Sequence, residues 1–271
     1  MIDYKKNYQI FLESQIIPKN NISLFTVVDR NNYLLDVFLF YYTRFPFDLY
    51  FFVRDNSDSG IVEYISKKSK NYNVINVTNY TVAYNHVMYD DGPEFVKFYY
   101  ETYKKLSNYY PFVLNCDLDE LIFADDLVKR INETKHNTVT IGYDLVHNLN
   151  CESILDYSKP IHLQRNYCVI TNVYNKKSLW TDTKNIYFQN SGRHHAETML
   201  TPFHTLNISK ICSKIVLENN VFTRKHYQNF STNFNFNSQE SVDNYLIQYA
   251  KERNIEPLPV FIKDKLVEFN I

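Results

Sequence analysis

An α/β fold is what this sequence predicts: a single domain with a mixed, mostly parallel central sheet flanked by helices. Apolar runs of strand length alternate with helix-length segments between residues 22 and 116. Each of these strands runs straight into polar turn residues, as strands do when a crossover helix follows. The run Phe112-Val113-Leu114-Asn115-Cys116 then delivers Asp117, Asp119 and Glu120, and apolar sequence resumes at once with Leu121-Ile122-Phe123.

The elements follow in order. Residues 22–28 read Ile-Ser-Leu-Phe-Thr-Val-Val, a strand that ends at Asp29-Arg30-Asn31-Asn32. A helix is expected over 33–42, and a second strand over 49–53 ends at Arg54-Asp55-Asn56. Residues 61–70 suit a helix and 72–77 a third strand. Residues 94–107 space Phe95, Phe98, Tyr99 and Leu106 as an amphipathic helix does. After the acidic run a helix is expected from Asp125 or Asp126, and a strand over 138–142 leads to Tyr143-Asp144. Short β-like runs follow at 167–173 and 186–188, and a final helix at 238–254. Residues 211–271 read as a C-terminal extension packed on the domain.

Carboxylates crowded at the end of a buried strand repel one another unless a cation sits between them. Hard divalent ions such as Mg2+ or Mn2+ favour such all-oxygen surroundings and keep positions open for substrate phosphates. On an extended backbone, side chains two residues apart project to one side, so Asp117 and Asp119 are expected to face the same ion. The competing reading makes Asp117-Leu118-Asp119-Glu120 a solvated loop capping the next helix. The apolar sequence on both sides argues against it. Ligands of open α/β sheets bind beyond the carboxyl ends of the strands, where Asp29, Asp55 and Asp117 all fall.

Composition narrows the alternatives. The 271 residues are 45% hydrophobic and 22% charged, which is globular composition. A net charge of -1 and the lack of a basic stripe argue against nucleic acid as the main partner. No apolar stretch is long enough to span a bilayer, and the N-terminus lacks a signal-peptide core. A cytoplasmic protein is expected. Cys116, Cys151, Cys168 and Cys212 carry no zinc spacing and no disulfide framework. Abundant Asn, Lys, Ile, Tyr and Phe with only four glycines resembles translation from an AT-rich genome, as in a large DNA virus or a parasite.

A second constellation lies downstream. Gly192-Arg193-His194-His195-Ala196-Glu197 is followed by Phe203-His204-Thr205-Leu206, which places three of the eight histidines in one short window. Imidazoles bind metals and move protons near neutral pH.

In order and type, these segments resemble the GT-A-fold, Rossmann-like glycosyltransferases of the family 2 kind. The counterparts are Asp117-Leu118-Asp119-Glu120, Lys176-Lys177-Ser178-Leu179-Trp180, Gly192-Arg193-His194-His195 and His204-Thr205-Leu206. The resemblance spans residues 23–210. It implies a metal-dependent transferase that moves a sugar from a nucleotide-diphosphate donor, a UDP-sugar first, to a glycan or glycoprotein hydroxyl, with inversion. Asp117 and Asp119 would hold Mn2+ or Mg2+, with His204 as a further ligand, and Thr26, Asp29, Arg30, Asp55 and Asp117 would contact the nucleotide. No x-Glu-Asp motif names the base, which leaves Asp144, His194, His195 and Glu197 as candidates. A homo-oligomer is compatible with this class.

Rivals exist in other classes. A haloacid-dehalogenase-type phosphatase also has Asp-x-Asp after an apolar strand, but Glu120 stands where it needs Thr or Val. A sugar nucleotidyltransferase normally carries a Gly-rich loop after its first strand, and Asp29 to Asn32 contains no glycine. A non-catalytic glycan-binding or scaffold protein on a transferase fold is the non-enzyme alternative.

Overall fold

The computed structural model describes residues 4–28, 33–53, 59–68, 72–76, 93–134, 138–156, 158–171, 178–180, 203–210, 244, 247–249 and 251–271. Its first half is a run of β-α-β units. Strand β1 (Ile22–Val28), helix α2 (Tyr33–Tyr42), strand β2 (Phe47–Val53), helix α3 (Ser59–Lys68), strand β3 (Tyr72–Asn76), helix α4 (Pro93–Ser107) and strand β4 (Phe112–Asn115) follow helix α1 (Tyr4–Glu13). The strands lie side by side in the order β3-β2-β1-β4, all parallel, the order of one half of a doubly wound sheet.

Burial on both faces explains why these strands are apolar almost throughout. Ile22, Leu24 and Val28 of β1 and Phe47, Leu49, Phe51 and Val53 of β2 pack towards α2 and α3, with Leu35, Phe38, Ile61 and Ile65. The alternate residues Phe25, Tyr50 and Phe52 pack towards α1 and α4, with Tyr8, Phe11, Phe98, Tyr99 and Tyr103. The rings meet edge to face, as Phe25 does with Tyr103 at 4.9 Å between centroids, the arrangement that ring quadrupoles favour. Most of the abundant aromatics among the described residues are thus core rather than sugar platforms.

Past β4 the chain changes sheets. Strand β5 (Glu120–Phe123) joins a second sheet of order β11-β8-β7-β10-β5. Its other members are β7 (Ile141–Val146), β8 (Tyr167–Thr171), β10 (His204–Lys210) and β11 (Glu256–Pro257). The first sheet is extended beyond β4 by β9 (Ser178–Trp180) and β6 (Thr138–Val139), both antiparallel to their neighbours. The single strand expected over 138–142 is therefore two strands in different sheets. Thr140 lies at the crossing, its buried hydroxyl hydrogen-bonded to that of Thr205 on β10.

Helix α5 (Leu127–Glu133) starts where expected, capped by Asp126, whose carboxylate accepts the Lys129 N–H at 3.1 Å. Asp126 holds φ 101°, a left-handed conformation that aspartate tolerates better than most residues. The 238–254 helix lies partly outside the described residues; residues 244, 247–249 and 251–252 are helical.

The last helix, α6 (Val260–Phe269), packs into the main core. Ile262 and Leu266 are buried in the same cluster as Leu24 and Phe123. The Phe269 ring stands edge-on to Tyr41 at 5.1 Å, and Arg44 donates to the Phe269 carbonyl at 2.5 Å. Among the described residues no helix is long and apolar enough to cross a membrane.

Candidate active site

The strand order fixes where a ligand can enter. From β1 the chain steps outward to β2 and β3, then returns through α4 to the other side of β1 as β4. Strand order reverses between β1 and β4, and at such a point the loops leaving neighbouring strands diverge and open a crevice. Asn115 and Cys116 close the ladder at that point. The Asn115 amide (3.0 Å) and the Cys116 N–H (3.3 Å) both donate to the Phe25 carbonyl on β1. The next residue is Asp117.

The acidic run forms a turn, not the extended segment expected. The Glu120 N–H donates to the Asp117 carbonyl at 3.0 Å, while the Glu120 carboxylate accepts the Asp117 N–H at 3.1 Å. This reciprocal pair explains the correction: closing the turn satisfies three backbone groups that an extended segment would leave to other partners. Glu120 thus acts as the clamp of the turn. Asp119 and Glu120 are only 4% and 3% exposed, so the solvated-loop reading does not describe them, while Asp117 is half-buried.

Two elements hold this turn from outside. On α2, the buried Tyr42 hydroxyl accepts the Ile122 N–H at 3.0 Å and donates to the Glu120 carbonyl at 3.1 Å. Tyr41 beside it donates to the Ile122 carbonyl at 2.7 Å. Burial pushes both phenols well above their ordinary pKa, so they stay neutral and remain donors. From the second sheet, the Ile208 N–H donates to the Asp119 carbonyl at 2.7 Å, and the Asn207 amide donates to Asp119 Oδ2 at 3.3 Å.

Asp144 lies close by in the ladder. Asn207 of β10 pairs with Glu120 of β5 on one side and with Asp144 of β7 on the other, so the three share one face of the second sheet. Asp144 is 4% exposed and its carboxylate accepts a hydrogen bond from the buried Tyr249 hydroxyl.

Other expected residues lie elsewhere. His204 opens β10 opposite Phe123, three residues before Asn207. An odd separation on a regular strand puts the two side chains on opposite faces, so the structure does not bring His204 to Asp119. Its ring sits instead between Phe261 of α6 (5.1 Å) and Tyr143 (5.8 Å). Thr26 is wholly buried, and among the described residues its hydroxyl has no hydrogen-bond partner. Asp29, Arg30, Asp55, His194, His195 and Glu197 lie outside the described residues, as do Lys176, Lys177, Gly192 and Cys212. Cys116 and Cys168 are buried thiols and Cys151 is an exposed one.

Asn207, Tyr42 and Tyr249 were not anticipated from the sequence. The one legible sign was Asn207 itself, a polar residue between Leu206 and Ile208, both wholly buried.

His204 carries a pH dependence of its own. Its Nδ1 is buried, with no partner among the described residues, and desolvation lowers its pKa below the ordinary 6.5, partly offset by Asp125. The folded state then binds the proton less readily than the unfolded chain. The contribution of neutral His204 to stability is full above pH 6.5 and is lost as pH falls through the lowered pKa. Denaturant midpoints at pH 7.5 and 5.5 should therefore fall further in the wild-type protein than in His204→Phe. Equal falls would remove His204 as the cause.

Among the described residues, no group of three or more His, Cys, Asp and Glu side chains is arranged to hold a metal ion. The acidic site consists of Asp117 and Asp119 on the turn, with Asp144 a neighbour in the ladder. No protein-family model and no curated protein matches the chain.

Proposed function

We propose that this chain is a GT-A-type, metal-dependent glycosyltransferase that moves a sugar from a nucleotide-diphosphate donor to an acceptor hydroxyl. One observation carries the reading: Asp117 and Asp119 share a clamped turn that begins two residues past β4, where strand order reverses. Crevices at this position in open α/β sheets are where nucleotides bind. Asp29 and Arg30 follow directly on β1, and Asp55 comes two residues after β2. In this reading they reach the base and ribose.

The donor set fits a hard divalent ion. Mg2+ and Mn2+ are commonly held by one or two carboxylates, with substrate phosphates and water completing the shell. Asp117 and Asp119 would supply the protein's share. Bound there, such an ion would neutralise charge on the departing nucleotide diphosphate as a Lewis acid.

The chain's own groups do the rest. The turn holds the two carboxylates before substrate arrives, which spares reorganisation during the reaction. An inverting displacement also needs a base to take the acceptor proton. Asp144 is the base candidate among the described residues, and in the structure its carboxylate is engaged by the Tyr249 hydroxyl. A carboxylate can accept from more than one donor, so an acceptor hydroxyl could share it with Tyr249. His194, His195 and Glu197 are the other candidates in this reading.

Thermal-shift measurements with UDP-, GDP- and dTDP-sugars, with and without Mn2+, test the assignment. A single donor class should raise the melting temperature by roughly 5–8 °C near 100 times its Kd, and only with metal. No response to any donor favours a glycan-binding or scaffold protein. Stabilisation by a nucleoside triphosphate together with a sugar 1-phosphate favours a nucleotidyltransferase.

A further inference from the structure

The two aspartates of the turn have different attachments. Asp117 follows the β1–β4 ladder with only Cys116 between, and its main-chain N–H is clamped by Glu120 at the start of β5. Asp119 is tied to the second sheet twice, by main chain through Ile208 and by side chain through Asn207. The separation and mutual angle of the pair therefore depend on the seating of β10 against β5.

We propose that Asn207 is a positioning residue that sets the Asp119 carboxylate for a divalent cation. The inference rests on the metal-site reading above and deepens it by naming the group that orients one ligand. Asn207 is half-buried between two wholly buried neighbours, Leu206 and Ile208, so its amide stands on the opposite face of β10 from the core. On that face the register brings it level with Glu120 and Asp144. A neutral amide suits a row already holding acidic side chains, because it donates to a carboxylate without adding charge. An aspartate there would bring like charges together and an aliphatic residue would give no donor. Residues that hydrogen-bond a metal ligand fix its orientation, and their loss commonly costs 10–100-fold in metal affinity.

The test uses the full chain with Mn2+ as the probe, free ion being read by electron paramagnetic resonance and folding by circular dichroism. Asn207→Leu, branched at the same carbon as asparagine but without a donor, should weaken Mn2+ binding about 10–100-fold. Asn207→Asp keeps the shape but sets like charges together. It should melt lower than wild type without metal, and Mn2+ should raise its melting temperature more than that of wild type. A merely structural role would lower both melting temperatures and leave Mn2+ affinity unchanged. Wild-type Mn2+ affinity in folded Asn207→Leu overturns the inference while leaving the metal site standing. If Asn207→Leu does not fold, Asn207→Asp decides: a Mn2+ response equal to wild type overturns it. Absence of Mn2+ binding by the wild-type chain, with and without nucleotide diphosphate, overturns the metal-site reading itself and this inference with it.

Discussion

Asp119→Ala is expected to abolish sugar transfer and donor hydrolysis while leaving the protein folded. The carboxylate is buried at 4% exposure and accepts a hydrogen bond from the Asn207 amide at 3.3 Å. Truncation leaves that half-buried amide without this acceptor, a cost of about 1 kcal/mol that a chain of this size tolerates. The main-chain bond from Ile208 to the Asp119 carbonyl does not involve the side chain and remains. The catalytic loss is far larger. Charge stabilisation by a bound cation is worth several kcal/mol in the transition state, which makes a fall of roughly 10³-fold or more in kcat/KM. Asp119→Asn sharpens the test, because it retains volume and an acceptor oxygen for Asn207 but removes the charge; it should fail almost as completely. Glu120→Gln is the contrast, since the amide oxygen can still accept the Asp117 N–H and the turn should persist with most of the activity. Wild-type turnover by Asp119→Ala in metal-free buffer would end the assignment.

The legible parts of the fold were those in which local sequence and tertiary burial agree. Strands β1, β2 and β4 are covered on both faces, so their apolar runs stand out from the polar turns, and 22–28 and 33–42 coincide with observed elements. Strand β6 has two residues, too few to carry any period, and it merged with β7 in the sequence reading. Helix α6 has no counterpart in the sequence reading beyond an extension packed on the domain, and Ile262 and Leu266 bury one of its faces in the main core. The position of Asp117 and Asp119 past a buried strand was readable; their backbone was not. The Glu120 carboxylate competes for the Asp117 N–H and closes a turn, and the bare Asp-x-Asp spacing contains no trace of that contest. His204 fails to meet Asp119 for a similar reason. Which face of β10 it takes is decided by pairing with Phe123, far away in sequence. A residue's chemical type is local information, whereas its sidedness at a strand pairing is not.

Removing a single oxygen from α2 should disturb this site from outside it. Tyr42→Phe deletes the hydroxyl that accepts the Ile122 N–H and donates to the Glu120 carbonyl, with Cys116 Sγ 3.4 Å away. Tyr42 is wholly buried, and no water-sized volume is vacated by losing one hydroxyl, so both backbone groups are left in a dry interior. Each unsatisfied buried group costs about 1–3 kcal/mol, and the sum should lower unfolding stability by roughly 2–4 kcal/mol. The neighbouring Tyr41 hydroxyl has no second proton for the Glu120 carbonyl, because its own is donated to the Ile122 carbonyl at 2.7 Å. The two phenols between them hold three backbone groups of β5, and β5 begins at Glu120, the clamp of the acidic turn. Loss of Tyr42 should therefore also loosen the Asp117–Glu120 pair and weaken Mn2+ binding, although Tyr42 supplies no group to the ion. Urea unfolding measures the first effect, and amide hydrogen exchange at Ile122 localises it. A variant with wild-type stability and unchanged Ile122 protection would mean that α2 does not brace the turn, and the clamp would have to rest on Glu120 and β10 alone.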